Sequence, residues 1–506
     1  MMNTDLYRAQ FAQLEPRLVG ARLPWLQRTR AVALERFTEM GFPTLRDEDW
    51  KYTSVATLEK RAFKFVPESF NGVRADQVDE LALPTSHLLV FVNGRHSPVL
   101  SRPGSLPGGA EVGSLAAAIA DRPDRFEAMF SRDAEALVNG FTALNAAFWA
   151  DGAHIDLAAG CAVDEPIHLL FITTDADLAV HPRNIIRAGA GSHAEIIEHY
   201  VGPNDAAYLT NAVTHIQADA GATIIHTKLQ QEGLRGHHIA DIRVEQGPDT
   251  RFTSQSFALG GLLSRNDITT RLDAPGCEAT LIGLYMASGR QHMDHHTRID
   301  HLRPRGTSRE FYKGVLDGAS RAVFNGKVIV HPDAQRTDAQ QSNRNLLLSD
   351  NAEVDTKPQL EIYADDVKCS HGATVGQLDA EQIYYLRSRG MDDASARALL
   401  TFAFAEDVAT RVSCVPLRAR LEQLLRGRLP DRCRSGYEER SERAEPPKRS
   451  AYAIAQRRRP RLAPALHSFA GAWFRRERIA RRGASLGLRR DAAARGFPDP
   501  APQRAR

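Results

Sequence analysis

The run DDVKCSHG, which ends at Gly372, places Cys369 and His371 two residues apart. In an extended strand, such side chains share one face and lie about 6.6 Å apart along it. Thiolate sulfur and imidazole nitrogen are ligands of iron and zinc, and Lys368 could lower the pKa of the thiol. Because two ligands do not complete a tetrahedral site, a bound metal would need further ligands, for example from another subunit. A buried structural Cys369 is the competing interpretation, and a Cys–His hydrolase is a third.

A second group of candidate ligands lies in the run HMDHH. If this run is a strand, His292, Asp294 and His296 share one face, where imidazole and carboxylate groups could bind a metal ion. A metalloenzyme is therefore one alternative function. The competing interpretation is an outward-facing row of polar side chains, since Thr297 and Ile299 continue an ordinary strand alternation.

Motifs of other enzyme classes are few. The chain has no GxxxxGK[ST] sequence, which excludes nucleotide hydrolysis by a P-loop, and it has neither HExxH nor a CxxC pair. Asp365 and Asp366 form an adjacent carboxylate pair, which suggests a carbohydrate-active enzyme built on a β-helix as another alternative. Adjacent residues of a strand point to opposite faces, and this weakens that alternative.

The candidate residues lie in a region with the pattern of short strands. Between about 145 and 376, apolar and polar residues alternate, as in 240–245 and 267–273. Glycines recur at intervals of 26 to 30 residues, at Gly191, Gly221, Gly247, Gly276 and Gly306. Such a period predicts stacked coils, a β-helix, over 141–377, with a β-sandwich as the alternative.

Helical patterns flank these strands. The N-terminal region, 1–140, is predicted to be helical or mixed, with one helix that begins at Pro24 and ends at Gly41. The C-terminal region, 378–430, is predicted to form a small helical domain whose first helix is capped by Asp379. We therefore expect a mainly β protein with a β-helix core and helical ends.

The formal net charge of +3 over 506 residues hides two segments of opposite sign. Residues 431–506 contain 19 Arg and 1 Lys against 8 acidic residues, whereas 1–430 are mildly acidic. We predict that 431–506 form a disordered Arg-rich extension, with a non-functional extension or a basic arm for nucleic acid or acidic lipid as the alternatives. The acidic body gives no reason to expect a nucleic-acid partner. Five widely spaced cysteines suggest a reducing cytoplasm, and the apolar stretches are too short to span a bilayer.

Longer motifs resemble a known family. The run from Arg309 to Asp379, which includes REFYKGVLDGASRAVFNGKVIV and CSHGATVG, resembles the SufB/SufD family of the SUF iron-sulfur cluster assembly system. The sequences EQIYYLRSRG at 381–390 and FPTLRDEDWKYT at 42–53 are also similar to this family. The resemblance covers residues 1 to about 430, and CSHGATVG favours the SufD branch. Residues 431–506 match no part of the family pattern.

The resemblance implies a right-handed parallel β-helix between helical domains and a non-catalytic scaffold role in a cytoplasmic complex. SufB would pair with the β-helix, and the ATPase SufC would dock on 378–430 and carry out the nucleotide chemistry. By match to the CSHG motif, His371 would lie at the SufB interface and share a metal with SufB, with Cys369 as its neighbour. A transient iron-sulfur cluster would form there, and no cofactor is expected on the isolated chain. No nucleic-acid or membrane partner is implied.

Overall fold

The computed structural model describes residues 4–65, 72–84, 86–135 and 137–428. Strands are the larger part of the regular secondary structure in these residues, and helices lie at both ends. The mainly β fold with helical ends, predicted from the sequence, is confirmed. The Arg-rich extension predicted for 431–506 lies outside the described residues.

The N-terminal part contains seven α-helices within the described ranges. They are α1 (Thr4–Leu14), α2 (Pro24–Met40), α3 (Ala56–Glu59), α4 (Ala75–Leu81), α5 (Leu115–Asp121), α6 (Asp124–Glu135) and α7 (Gly140–Phe148), with 3₁₀ turns at Glu15–Arg17 and Glu48–Trp50. Helix α2 begins at Pro24, whose fixed φ suits the first helical turn, and it ends at Gly41 with a φ of 65°, as predicted. Edge-to-face packing of Tyr7 on Phe37, with ring centroids 5.1 Å apart, joins α1 to α2.

Short strands precede the regular coils. They are β1 (Lys64–Phe65), β2 (His87–Val92), β3 (Arg95–His96), β4 (Ala110–Ser114), β5 (Ala153–Leu157), β6 (Ile167–Ile172), β7 (Leu178–Val180) and β8 (Arg183–Ala188). The regular strands are β9 (His193–Val201), β10 (Leu209–Ala218), β11 (Thr223–Gln231), β12 (His237–Gln246), β13 (Arg251–Ala258), β14 (Leu263–Leu272), β15 (Glu278–Ala287), β16 (His292–His301), β17 (Thr307–Leu316), β18 (Arg321–Val330), β19 (Asp338–Leu347), β20 (Glu353–Ile362) and β21 (Lys368–Gly376).

The regular strands alternate between two sheets. One sheet contains β8, β10, β12, β14, β16, β18 and β20 in that spatial order, and the other contains β9, β11, β13, β15, β17, β19 and β21. Neighbours are parallel and one coil apart, so that Leu209 pairs with His237 and His237 pairs with Leu263. Because each strand pairs with the next strand but one along the chain, the region is a parallel β-solenoid. The β-helix prediction is confirmed, and the β-sandwich alternative is wrong.

The solenoid interior is a continuous column of inward-facing side chains. Ile242 and Ile268, for example, are in register on β12 and β14, and both are fully buried. This apolar core runs through the coils, and each buried aliphatic side chain contributes about 1.5–3 kcal/mol. On the outer face of the sheet that contains β14, Trp50 and Phe141 of the N-terminal part pack against Leu263.

Three helices follow the solenoid: α8 (Ala380–Ser388), α9 (Asp393–Ala409) and α10 (Val415–Gly427). As predicted, the Asp379 carboxylate caps α8 and accepts a hydrogen bond from the Glu381 N–H at 2.8 Å. Asp392 caps α9 in the same way, with 3.0 Å to the Ser395 N–H. Residues of α9 and α10 pack on the outer face of β13, β15 and β17.

Candidate functional site

Strand β21 positions the two predicted soft donors. It pairs in parallel with β19, which sets Cys369 opposite Ala339 and His371 opposite Gln341. Ala339 and Gln341 are buried, so strand alternation places Cys369 and His371 on the inward side of the last rung. The structure therefore brings both donors to one face of one strand, as their spacing predicts.

The two donors have different surroundings. Cys369 is half-buried against the apolar core, and burial raises the pKa of its thiol. The expectation that Lys368 lowers this pKa is wrong, because desolvation dominates and the adjacent residue of a strand points to the opposite face. His371 is exposed. At neutral pH Cys369 is a protonated thiol, and His371 is the accessible donor.

Strands β20 and β21 form the last rung of the solenoid, which we call the open edge. Each lies at the end of its sheet, and all of their residues are exposed or half-buried. The strands one coil earlier, β18 and β19, bury half or more of their residues. An edge strand offers backbone N–H and C=O groups to a strand of another chain. A second polypeptide at this edge would also lie within reach of His371.

A column of polar side chains leads through the interior to His371. Glu310 of β17 is in register with Gln341 of β19, which is in register with His371. The Gln341 Nε2 donates a hydrogen bond to the Glu310 Oε2 at 2.6 Å, and burial raises the pKa of Glu310 to about 7. No sequence motif identifies Glu310 or Gln341. Glu310 lies 31 residues before Gln341, which lies 30 residues before His371, and both separations match the coil period. This period is the sequence signal that could have found them.

His292, Asp294 and His296 share the outer face of β16, but they contact other protein groups. The Asp294 Oδ2 accepts hydrogen bonds from the Thr53 Oγ1 at 2.5 Å and the Arg265 Nη1 at 2.7 Å, and its Oδ1 lies 3.1 Å from the His296 Nε2. Burial opposes ionisation of Asp294, yet Arg265 and His296 hold its pKa well below the usual range. This cluster fixes the N-terminal segment that carries Thr53 to the solenoid.

The candidate residues of the two enzyme alternatives do not form the sites that were predicted for them. Within the ranges that the structure describes, no group of three or more His, Cys, Asp or Glu side chains is placed to hold a metal ion. Asp365 and Asp366 lie in a bend between β20 and β21, and the Asp366 Oδ2 is 3.7 Å from the Arg336 Nε. The pair therefore belongs to a surface turn and not to a groove with opposed carboxylates.

Charged groups are also buried in the earlier coils. The Glu198 Oε1 lies 3.0 Å from the His226 Nε2, and the Lys228 Nζ donates to the Asn266 Oδ1 at 2.8 Å. Burial lowers the pKa of Lys228 to about 7. Burial opposes ionisation of Glu198, but His226 outweighs this and lowers the pKa of Glu198 to about 2. Glu198 and Lys228 therefore each have a polar partner inside the solenoid.

The C-terminal helices are attached to the solenoid through β17. The Lys313 Nζ donates to the Phe404 carbonyl oxygen at 2.8 Å and lies 2.8 Å from the Asp407 Oδ2. On α8, the side chains of Tyr384 and Tyr385 are exposed, at 75% and 41%. The helical region 378–428 thus has one face on the solenoid and an aromatic surface toward solvent. Leu429 and Pro430, the end of the predicted docking region, lie outside the described residues.

Fold and site together define a parallel β-solenoid protein with an open last rung that carries an accessible imidazole. No helix among the described residues has the length and apolar character needed to cross a bilayer. Residues 1–169 match the SufBD protein N-terminal region, and residues 171–404 match the SufBD core domain of SUF system FeS cluster assembly. The chain belongs to the SufBD family, which confirms the resemblance found in the sequence.

Similar proteins occur in bacteria and plants. The chain is 35% identical over 403 residues to the iron-sulfur cluster assembly protein SufD of Escherichia coli, which covers 78% of this chain and 92% of that protein. It is 33% identical over 406 residues to an iron-sulfur cluster assembly SufBD family protein of Synechocystis, with 78% and 89% covered. It is 30% identical over 417 residues to the chloroplastic protein ABCI7 of Arabidopsis thaliana, with 80% and 86% covered.

Proposed function

We propose that this protein is a non-catalytic scaffold subunit for iron-sulfur cluster assembly. It pairs with SufB through the open edge and carries the ATPase SufC on its C-terminal helices. The observation that carries this proposal is the open edge itself, where an exposed imidazole, His371, lies on a rung with no further strand beyond it in the described chain.

Backbone chemistry supports a strand of another chain as the partner of this edge. The earlier rungs pair on both sides, so their N–H and C=O groups are satisfied within the solenoid. Strand β21 has only β19 beside it, and an exposed edge of this kind favours pairing with another sheet. A SufB β-helix that pairs with β20 and β21 would bury the last rung. It would also prevent this edge from pairing with other exposed strands.

The donor set supports a cluster shared between two chains. One imidazole and one protonated thiol cannot hold an iron-sulfur cluster, whose irons prefer several thiolates. SufB would supply the remaining sulfur ligands, and the cluster is the cargo of the complex and not a resident cofactor. His371 is the ligand from this side, and Cys369, half-buried and protonated, has a supporting role.

The C-terminal helical region supports an ATPase as the second partner. The sequence contains no P-loop motif, so SufC would hydrolyse the ATP. Helices α9 and α10 are held on the solenoid by Lys313 and an apolar contact, which would transmit a movement of SufC to the coils. ATP can change how SufB pairs with this chain only if it binds more tightly to one conformational state of the complex than to the other.

The test is co-expression of this chain, tagged, with untagged SufB and SufC, followed by iron and sulfide analysis of the purified complex. His371→Ala should leave the complex intact and reduce the retained iron by roughly ten-fold or more, the scale on which metal sites lose affinity when a ligand shell is disturbed. His193→Ala, another exposed histidine far along the solenoid from the open edge, is the matched control and should retain the cluster.

Two outcomes would contradict the proposal. An unchanged iron and sulfide content in His371→Ala would remove the role of the imidazole. Failure of SufB to co-purify with the unmodified chain would remove the pairing through the open edge.

A further inference from the structure

Gln341 links the buried interior of the solenoid to His371. We propose that Gln341 is a positioning residue for His371: when the exposed imidazole turns toward the solenoid interior, the Gln341 side-chain carbonyl accepts its N–H and leaves the other ring nitrogen free for iron. This inference rests on the proposed function, because it concerns how the same imidazole is presented.

One end of the Gln341 amide is anchored. Its Nε2 donates to the Glu310 Oε2 at 2.6 Å, and both side chains are at most 4% exposed. A carboxylate accepts hydrogen bonds, and only the NH₂ end of an amide donates them. The ionised Glu310 carboxylate, which predominates above its pKa of about 7, therefore decides which way the Gln341 amide faces.

The opposite strand leaves room for this amide. A Cβ atom built on Gly326 of β18 would lie 1.9 Å from the Gln341 Nε2, too close for any side chain. The glycine thus allows the Gln341 side chain to cross the interior above β18. This place is one rung before the open edge, because Gly326 is in register with Pro358 of β20.

The other end of the amide lacks a donor. The Gln341 Oε1 is buried and has no hydrogen-bond partner among the described residues, although buried carbonyl oxygens are normally satisfied. His371 is the residue in register with Gln341 on the next rung, and neighbouring strands lie about 4.8 Å apart. The structure shows no hydrogen bond between the two side chains, and the proposed bond forms when the exposed His371 ring turns toward this oxygen.

This hydrogen bond has a chemical consequence. A neutral imidazole has one N–H and one nitrogen with a lone pair, and the group that binds the N–H decides which nitrogen is which. An amide carbonyl accepts but never donates. Gln341 therefore selects one tautomer of His371 and fixes the direction of its lone pair, as outer-shell partners do at metal sites.

The first test uses the full chain without partners. The ring nitrogens of ¹⁵N-histidine-labelled protein are observed by NMR at about pH 8, where an ordinary imidazole is neutral, and His371→Ala assigns the signals. Gln341→Leu removes the acceptor at similar size, so the ¹⁵N shift difference between the two His371 nitrogens should shrink. Gln340→Leu, an adjacent exposed glutamine that faces outward, is the matched control and should retain the difference.

Glu310→Gln tests the anchor and preserves the packing. The amide of Gln341 can then turn its NH₂ end toward His371, so the shift difference should again shrink. An unchanged difference in either variant, provided that it folds, would overturn the inference, so the test stands even if only one of the two can be measured. The cluster content of the co-expressed complex tests the proposed function separately. If the ¹⁵N shift difference of His371 shrinks in the Gln341 variant but the cluster content of His371→Ala is unchanged, the proposed function fails and the inference about Gln341 does not.

Discussion

Strands β16 and β21 belong to the same solenoid and both carry histidines, yet their surroundings differ. On β16, His295 is buried and stacks on Tyr285 with ring centroids 5.1 Å apart, and the His292 Nε2 lies 2.9 Å from the Thr53 Oγ1. On β21, His371 is exposed at the open edge. Both strands carry histidines, so the role of each histidine depends on whether other parts of the chain cover its strand.

The difference has a physical basis in coverage. Strand β16 has a neighbour on each side, and the N-terminal segment with Trp50 and Thr53 lies on its outer face. The side chains of His292, Asp294 and His296 contact partners within the chain, so they stabilise the fold. Strand β21 has one neighbour, and its imidazole is left for a ligand or another chain. The experiments below test this division, beginning with the largest expected effect.

Arg265→Ala should strongly destabilise the β16 side. The Arg265 guanidinium stacks 3.8 Å from the Trp50 ring centroid and bonds to the buried Asp294 carboxylate. Its loss removes the main cation from the buried Asp294 charge, which costs about 3–5 kcal/mol of unfolding free energy. The change is measured as a fall in the urea midpoint of the full chain.

The control is a similar pair at the surface. The Arg321 Nη2 is 2.9 Å from the Glu353 Oε2, and both side chains are exposed, at 64% and 60%. Solvent screens this pair, so Arg321→Ala should cost about 1 kcal/mol or less. Equal losses from the two variants would show that burial of β16 does not control the strength of its ion pairs.

The second effect is a dependence of stability on pH. Burial, with Lys228 nearby, lowers the pKa of His295 from 6.5 to about 3. Between these values the unfolded chain binds a proton that the folded chain does not, so stability falls as the pH falls, by roughly 1.4 kcal/mol per pH unit for this group. Urea midpoints between about pH 7 and 5 should decline less steeply in His295→Gln than in the unmodified chain. Parallel slopes would contradict the assignment.

Much of the fold was predictable because it follows from local rules. Alternating residues define strands, and the period of glycines defines the coil, with Gly191, Gly221 and Gly276 at φ values of 67°, 71° and 76°. The caps at Asp379 and Asp392 mark helix starts by short-range hydrogen bonds. All of these signals depend on residues only a few positions apart or on a simple repeat.

The candidate site was predictable only in part. The spacing of Cys369 and His371 gives their shared face, but not the burial that raises the pKa of the thiol. In the sequence, His292, Asp294 and His296 of β16 resemble a metal site. In the structure, Arg265, which is 29 residues earlier, donates a hydrogen bond to Asp294. Gln341 is invisible as a motif because its neighbours, Glu310 and His371, are one coil away in each direction. Register between coils is the missing information.

The smallest effect concerns Cys369 and sharpens the contrast within β21 itself. Its thiol is half-buried, packs against the core, and is protonated at neutral pH because burial raises its pKa. Cys369→Ala should therefore cost about 1 kcal/mol of stability, the scale of removing a small buried group, and it should lower the iron content of the co-expressed complex less than His371→Ala does. If Cys369→Ala removes the cluster as completely as His371→Ala, the thiol is deprotonated by the partner and acts as a ligand of equal weight. Burial within this chain would then not predict which donors the assembled edge uses.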